Sequence, residues 1–169
     1  MAISPQNFGH VARLEADAVG QPGQRTFRIL AAGSEGVASL WLEKEELQAL
    51  GIAIDQLLAR LSNRPQWKIY GAPVEPYQPI RDDLPSFTVE FKVGQMSLGY
   101  NTETKTFILM VHDSEDDPEG PATFTCMASF AQLRRLGQQI TAVIAAGRPR
   151  CPLCGDPLEP EGHRCIRAN

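Results

Sequence analysis

The C-terminal segment, residues 148–169, constrains the fold of this chain more than any other stretch, because it carries three of the four cysteines and one of the three histidines. The spacing is C-x2-C-x8-H-x-C, formed by Cys151, Cys154, His163 and Cys165. Two close pairs of thiolate and imidazole ligands, separated by a short polar stretch, suit a tetrahedral zinc ion. Gly155, directly after the second cysteine, permits a tight turn that brings backbone N–H groups toward the thiolates. The segment therefore predicts a zinc knuckle.

Four protein ligands would close the coordination sphere, so the predicted Zn²⁺ is structural, whereas a catalytic zinc keeps a position for water. Three alternatives stay open. A redox Cys-x-x-Cys is expected where a strand meets a helix, but Pro152, Gly155 and Pro157 make this segment a poor helix start. A disulfide framework needs an export context, and the N-terminus lacks the basic-then-apolar pattern of a signal segment. In the third alternative His163 is a bystander, and the fourth ligand lies elsewhere or the site has three thiolates only.

Composition favours a cytoplasmic protein that does not bind membranes. No apolar run approaches the roughly 20 residues that a spanning helix needs, and thiols that serve as metal ligands belong in a reducing compartment. The formal net charge of −4 argues against a generally basic nucleic-acid binder. The charge is uneven, since residues 120–169 contain six arginines and three acidic residues, a balance of +3, which leaves −7 for residues 1–119.

The rest of the chain predicts two similar units, each a meander of strands followed by an amphipathic helix. Ser129, with Gln132 three residues later, forms a capping-box pattern that opens the second helix. The first unit has predicted strands at 8–19, 25–32 and 37–42 and a helix at 43–61, and the second has strands at 87–94, 95–100, 105–112 and 122–127 before its helix.

The two helices match each other at an offset of 86 residues, including a repeated Leu-x-x-Leu-Gly-x-x-Ile. A glycine inside a helix costs about 1 kcal/mol relative to alanine, so its repetition exceeds what shared amphipathicity requires. We therefore predict an α+β fold of two related, pseudo-duplicated antiparallel units at 1–62 and 87–147. A loop at 63–86, rich in proline and containing Trp67, Tyr70 and Tyr77, would connect them and pack on the sheet. With the zinc-binding tail at 148–169, we expect one compact domain.

The chain resembles the DUF3090 family of bacterial proteins of unknown function over nearly its full length. Arg150 and Ile166 stand where the family usually has proline, and neither is a predicted ligand. The residues that carry the resemblance are Val19-Gly-Gln-Pro-Gly-Gln-Arg-Thr-Phe27, Leu42-Glu-Lys44, Phe91-Lys-Val-Gly94, Leu98-Gly99, the Cys-Pro-Leu-Cys-Gly to Gly-His-Arg-Cys stretch and Arg167-Ala-Asn169. The family has no assigned activity. Its genes tend to lie beside those for a kinase-like and a phosphomutase-like protein, which implies a protein partner.

The residues favour a non-catalytic binding or adaptor module. The first alternative is a single-stranded nucleic-acid binder, because the strand-then-helix pattern resembles the group that includes PUR-alpha, Whirly and positive cofactor 4. Such a protein would use the basic zinc end and a sheet face, although the strands carry few of the basic and aromatic residues it needs: Arg13, Arg28 and Lys92, with Phe27 and Tyr100. The second alternative is an enzyme or accessory subunit that acts on a phosphorylated small molecule, whose anion Arg25 and Lys44 would bind.

Other catalytic patterns are weak. His112, Asp113 and Ser114 are adjacent in sequence, and adjacent strand residues point in different directions, whereas catalytic triads are assembled from distant segments. Cys126 lies in an apolar strand and is interpreted as an inert core residue.

Overall fold

The structure, a computed structural model, describes residues 5–21, 23–62, 86–147, 151–156, 158 and 162–167. These residues form a mixed α+β fold, which confirms the predicted class. The predicted connecting loop lies outside the described residues except for its last position. In chain order the elements are β1 Gln6–His10, β2 Arg13–Val19, β3 Thr26–Gly33, β4 Gly36–Leu42, α1 Lys44–Leu61, β5 Val89–Asn101, β6 Thr106–Asp113, β7 Phe124–Ala128 and α2 Phe130–Ala145.

The described strands make a seven-stranded sheet in the order β1-β7-β6-β5-β4-β3-β2. Neighbours within each predicted meander are antiparallel, as expected, but β4 pairs with β5 in parallel and β1 pairs with β7 in parallel. The sequence-based prediction of antiparallel units missed both parallel pairs. Parallel neighbours require a long crossover connection, and the chain between β4 and β5 is long enough for one because it includes α1.

Strand β5 has two partners, one for each half. Its first residues pair with β4, and from Val93 onward it pairs with β6, with an irregularity between Val93 and Gln95. A Cβ on Gly94 would lie 2.8 Å from the Cα of Ser114, so this bulge requires glycine. The bulge shifts by one residue the alternation of side chains between the two faces of the strand. Val93, just before the bulge, faces the core, and Met96, after the bulge, packs on the core as well. This shift explains why the sequence pattern indicated two strands where the chain forms one.

The helices begin where the sequence pattern places them. Ser129 Oγ accepts the N–H of Gln132, and the Gln132 side chain accepts the N–H of Ser129, which is the predicted capping box. Helix α1 begins with a second box that was not predicted, in which Glu46 accepts the N–H of Glu43 at 2.7 Å. Each helix buries its apolar stripe, formed by Leu47, Leu50, Ile54, Leu133, Leu136 and Ile140.

The repeated glycines lie at the contact between the two helices. A Cβ on Gly51 would lie 2.9 Å from Cγ2 of Ile140, and a Cβ on Gly137 would lie 3.0 Å from Cγ2 of Ile54. The two contacts are equivalent, because Gly137 and Ile140 are the residues that match Gly51 and Ile54 at the offset of 86 residues. Glycine is present at these positions because the facing isoleucine leaves little space for a side chain. The duplication itself stays a prediction.

In the described part of the chain, neither helix combines the length and the apolar character that crossing a membrane requires.

Candidate metal centre

The four predicted ligands come together in the structure. The ligand atoms of Cys151, Cys154, His163 and Cys165 all lie within 4.8 Å of one another. Cys151 Sγ is 3.7 Å from Cys165 Sγ, and Cys154 Sγ is 3.0 Å from His163 Nε2. The Cys151–Cys154 pair and the His163–Cys165 pair therefore lie close together, although eight residues separate the two pairs in sequence.

Local backbone geometry explains how the first pair is presented. The N–H of Gly155 donates to the carbonyl of Cys151 at 2.9 Å, and Gly155 has φ of +79°, a conformation that favours glycine. The turn directs the N–H groups of Cys154 and Leu153 toward the Cys151 thiol, and that of Asp156 toward the Cys154 thiol. This is the role that the sequence predicted for the glycine.

The two thiols of this turn differ in acidity. Hydrogen bonds from the N–H of Cys154, and then of Leu153, lower the pKa of Cys151 to about 6. The N–H of Asp156 also lowers the pKa of Cys154, but burial and the neighbouring Cys151 and Cys165 outweigh it and raise the value to about 11. Hydrogen bonds within the turn thus favour a thiolate in this pair, and a bound metal ion would displace the protons that remain on the ligands.

The donor types suit zinc. A tetrahedral site with Zn–S bonds of about 2.3 Å has S···S edges of about 3.8 Å, and the Cys151–Cys165 separation is 3.7 Å, whereas Cys154 Sγ and His163 Nε2, at 3.0 Å, are closer than such a site would hold them. A disulfide between these residues would need sulfur atoms about 2.05 Å apart, and all four cysteines of the chain are free thiols. Three soft thiolates and one imidazole suit Zn²⁺ better than Mg²⁺ or Ca²⁺, which prefer oxygen ligands.

The family model described as "Protein of unknown function (DUF3090)" matches residues 6–165 of the chain. The chain belongs to the DUF3090 family. The match spans both helices, all seven strands and the four side chains of the candidate metal centre, so the Cys and His cluster lies within the region that this DUF3090 protein shares with its family. No curated protein and no solved structure matches the chain.

Arg25, directly before β3, and Lys44, shortly after β4, are the two residues predicted to bind an anion, and the pairing of Phe27 with Leu42 places both at the same end of the β3–β4 pair. Arg25 Nη1 donates to the carbonyl of Val143 in the last turn of α2, at 3.0 Å, and its guanidinium lies 5.0 Å from the centre of the Phe27 ring. A Cβ on Gly147 would lie 2.9 Å from Arg25 Nη2, so the backbone just after α2 is also close to this side chain. Lys44 is the first residue of α1. The anion site stays a prediction, and the structure gives Arg25 a role at the C-terminus of a helix.

The strand cations considered for nucleic-acid binding each contact a carboxylate. Arg13 lies 2.6 Å from Glu15, and Lys92 lies 3.1 Å from Glu43. Arg28 is almost fully buried, and its Nε and Nη2 both donate to Oδ2 of Asp17, at 3.1 and 2.9 Å.

This buried ion pair and the aromatic rings around it were not predicted from the sequence. The Arg28 guanidinium lies 5.3 Å from the Trp41 ring centre and 5.6 Å from that of Phe87. The available signal was the strand alternation, which places Asp17, Arg28 and Trp41 on one face of three adjacent strands.

The remaining candidate residues have structural surroundings. His112 Nε2 lies 3.1 Å from the carbonyl oxygen of Gly120, within the connection between β6 and β7. Cys126 is fully buried, and burial raises the pKa of its thiol to about 12, which keeps it protonated and unreactive.

Proposed function

We propose that this DUF3090 protein is a non-catalytic adaptor whose C-terminal knuckle is held by one structural Zn²⁺. The observation that carries the proposal is the convergence of four protein donor atoms within 4.8 Å of one another. A zinc ion bound by all four would have no position for water or substrate, so it would act as a cross-link between the two ends of the tail. Reduced thiols are needed for this, which favours the cytoplasm.

The surface of the knuckle supports a binding role. Four large hydrophobic side chains are exposed in the described part of the chain, and two of them, Leu153 at 53% and Ile166 at 85%, belong to the knuckle. Arg167 Nη1 donates to the carbonyl of Leu153 at 3.3 Å, which holds the two ends of the tail side by side. Exposed apolar side chains beside arginines are typical of protein interfaces.

The pairing of the strand cations favours this proposal over the nucleic-acid alternative. Binding to single strands needs cations that are available to phosphates and aromatic rings that are open to bases. Arg28 instead forms a buried ion pair with Asp17, and Phe27 is a buried core residue. The net charge of the knuckle is also small, because Zn²⁺ bound to three thiolates would carry a charge of −1, which offsets part of the positive charge of the arginines.

The test is a binding titration between the full-length protein and a purified kinase-like or phosphomutase-like protein, the partners that the family resemblance implies. We expect that replacing both Leu153 and Ile166 with serine weakens the complex about tenfold or more, since each loses a buried apolar contact. Zinc content should not change, because neither residue is a ligand. The wild-type complex should depend only weakly on salt.

Binding of neither protein would contradict the adaptor proposal. Tight binding of a single-stranded oligonucleotide with a steep salt dependence, unchanged in the double variant, would favour the nucleic-acid alternative.

A further inference from the structure

The second half of β5 is an edge strand among the described residues. On one side it pairs with β6, from Gln95 opposite His112 to Asn101 opposite Thr106. On the other side the pairing with β4 ends at Lys92, opposite Trp41, shortly before the chain enters α1. No strand in the described part of the chain pairs with this side of residues 95–99.

The corresponding edge of the other unit is protected by a helix. Helix α2 packs along β2, where Gln139 Oε1 accepts the N–H of Ala16 at 3.2 Å. Gln132 Nε2 donates to the carbonyls that precede β2, at 2.7 Å for Val11 and 3.3 Å for Ala12. Two glutamine side chains thus satisfy backbone groups that a neighbouring strand would otherwise bind.

Helix α1 cannot protect β5 in the same way. The residues at the offset of 86 from Gln132 and Gln139 are Glu46 and Ala53. The carboxylate of Glu46 is used at the start of its own helix, where it accepts the N–H of Glu43. Ala53 has no side-chain hydrogen-bonding group. Among the described residues, the two similar units therefore differ in that glutamine side chains of α2 cover one strand edge and the equivalent positions of α1 do not cover the other.

The β5 edge has few of the features that discourage pairing with another strand. Residues 93–102 contain no charged residue and no proline, although charges and proline are the usual protections of an edge. Met96 and Leu98 are half-buried on the core face, and Gln95 and Ser97 are exposed on the other face. The bulge at Gly94 lies only at the start of this stretch.

We propose that the chain forms a twofold-symmetric dimer in which residues 95–99 of β5 pair antiparallel with the same residues of a second copy. The sequence is self-complementary in the register centred on Ser97. In that register Met96 of each copy lies opposite Leu98 of the other on one face, which favours the pair. On the other face Gln95 lies opposite Gly99, around which no atom approaches within 4 Å of a Cβ position. This dimer does not depend on the zinc knuckle or on the adaptor role.

The experiment measures the mass of the full-length protein by sedimentation equilibrium. Because the pairing involves only about five residues per copy, we expect a weak dimer that forms over roughly 1 to 200 μM. The mass should rise from 18.6 kDa toward twice that value. Ser97→Lys should keep the protein monomeric throughout, since it places like charges opposite each other at the twofold axis. Ser97→Glu should do the same.

An equimolar mixture of the Ser97→Lys and Ser97→Glu proteins should recover the dimer, because opposite charges then face each other. Ser34→Lys, at the exposed turn between β3 and β4, is the matched control and should dimerise like wild type. A wild-type protein that stays monomeric would overturn the proposal, as would dimers that persist in Ser97→Lys. Failure of the mixture to recover the dimer would overturn it as well.

Discussion

Replacing Asp17 with alanine should remove about 3–5 kcal/mol from the free energy of unfolding, because it leaves a buried charge without its partner. Only 3% of the Asp17 side chain and 10% of the Arg28 side chain are exposed. Both guanidinium hydrogen bonds go to a single oxygen, Oδ2, so one substitution removes both. The rings of Trp41 and Phe87 lie over the guanidinium and limit the water that could replace the carboxylate. Urea unfolding at neutral pH measures the loss.

Two further variants separate the buried charge from the loss of packing. Asp17→Leu combined with Arg28→Met should recover most of the stability, because apolar residues of similar volume often replace a buried ion pair without a net cost. Glu15→Ala, which breaks the pair with Arg13, is the matched control, since half of the Arg13 side chain is exposed. Exposed pairs contribute about 0–1 kcal/mol. A loss at Asp17 as small as that at Glu15 would contradict the prediction.

Replacing Cys154 with alanine should abolish zinc binding and unfold the knuckle, while the sheet and helices remain folded. Metal binding contributes about 10–16 kcal/mol to the folding of isolated zinc peptides, so a knuckle of this size depends on its metal. The main core is formed by the sheet and the two helices and does not include the knuckle cysteines. Hydrogen exchange should show lost protection at residues 151–156 and 162–167 and retained protection in α1 and β6.

Cys126→Ala is the matched control, because it removes a fully buried thiol. Burial raises the pKa of this thiol to about 12, so it stays protonated at neutral pH. The variant should keep one zinc per chain and lose roughly 1 kcal/mol or slightly more of stability through a small cavity. If Cys154→Ala kept its zinc, Cys154 would not be a ligand. If its whole sheet lost protection, the knuckle would be part of the main cooperative unit.

The parts of the fold that could be predicted from the sequence are those set by local chemistry. Ser129 and Gln132 mark the start of α2 because a capping box needs only two residues three positions apart. The four candidate ligands could be predicted because cysteines and a histidine at such short spacings are typical of zinc sites. The repeated glycine in each helix indicated a constraint, and the structure shows that constraint as the close contact with Ile54 or Ile140.

The parts that could not be predicted depend on contacts between distant residues. The parallel pairing of β4 with β5 follows from the path of the chain through α1, which no strand pattern contains. The bulge at Gly94 reverses the alternation within one strand, and a periodic pattern that breaks in this way looks like two strands. Arg28 was interpreted as a surface cation because its burial requires Asp17, Trp41 and Phe87, which lie on three other segments.

X-ray absorption at the zinc edge, combined with elemental analysis of untagged full-length protein, tests the proposed zinc knuckle most directly. We predict one zinc per chain, with three sulfur ligands at about 2.3 Å and one nitrogen ligand at about 2.0–2.1 Å. His163→Ala should lose the nitrogen and weaken or abolish the binding. A protein without zinc, or a zinc with an oxygen ligand in place of a sulfur or the nitrogen, would contradict a closed structural site and would reopen redox or catalytic roles for these residues.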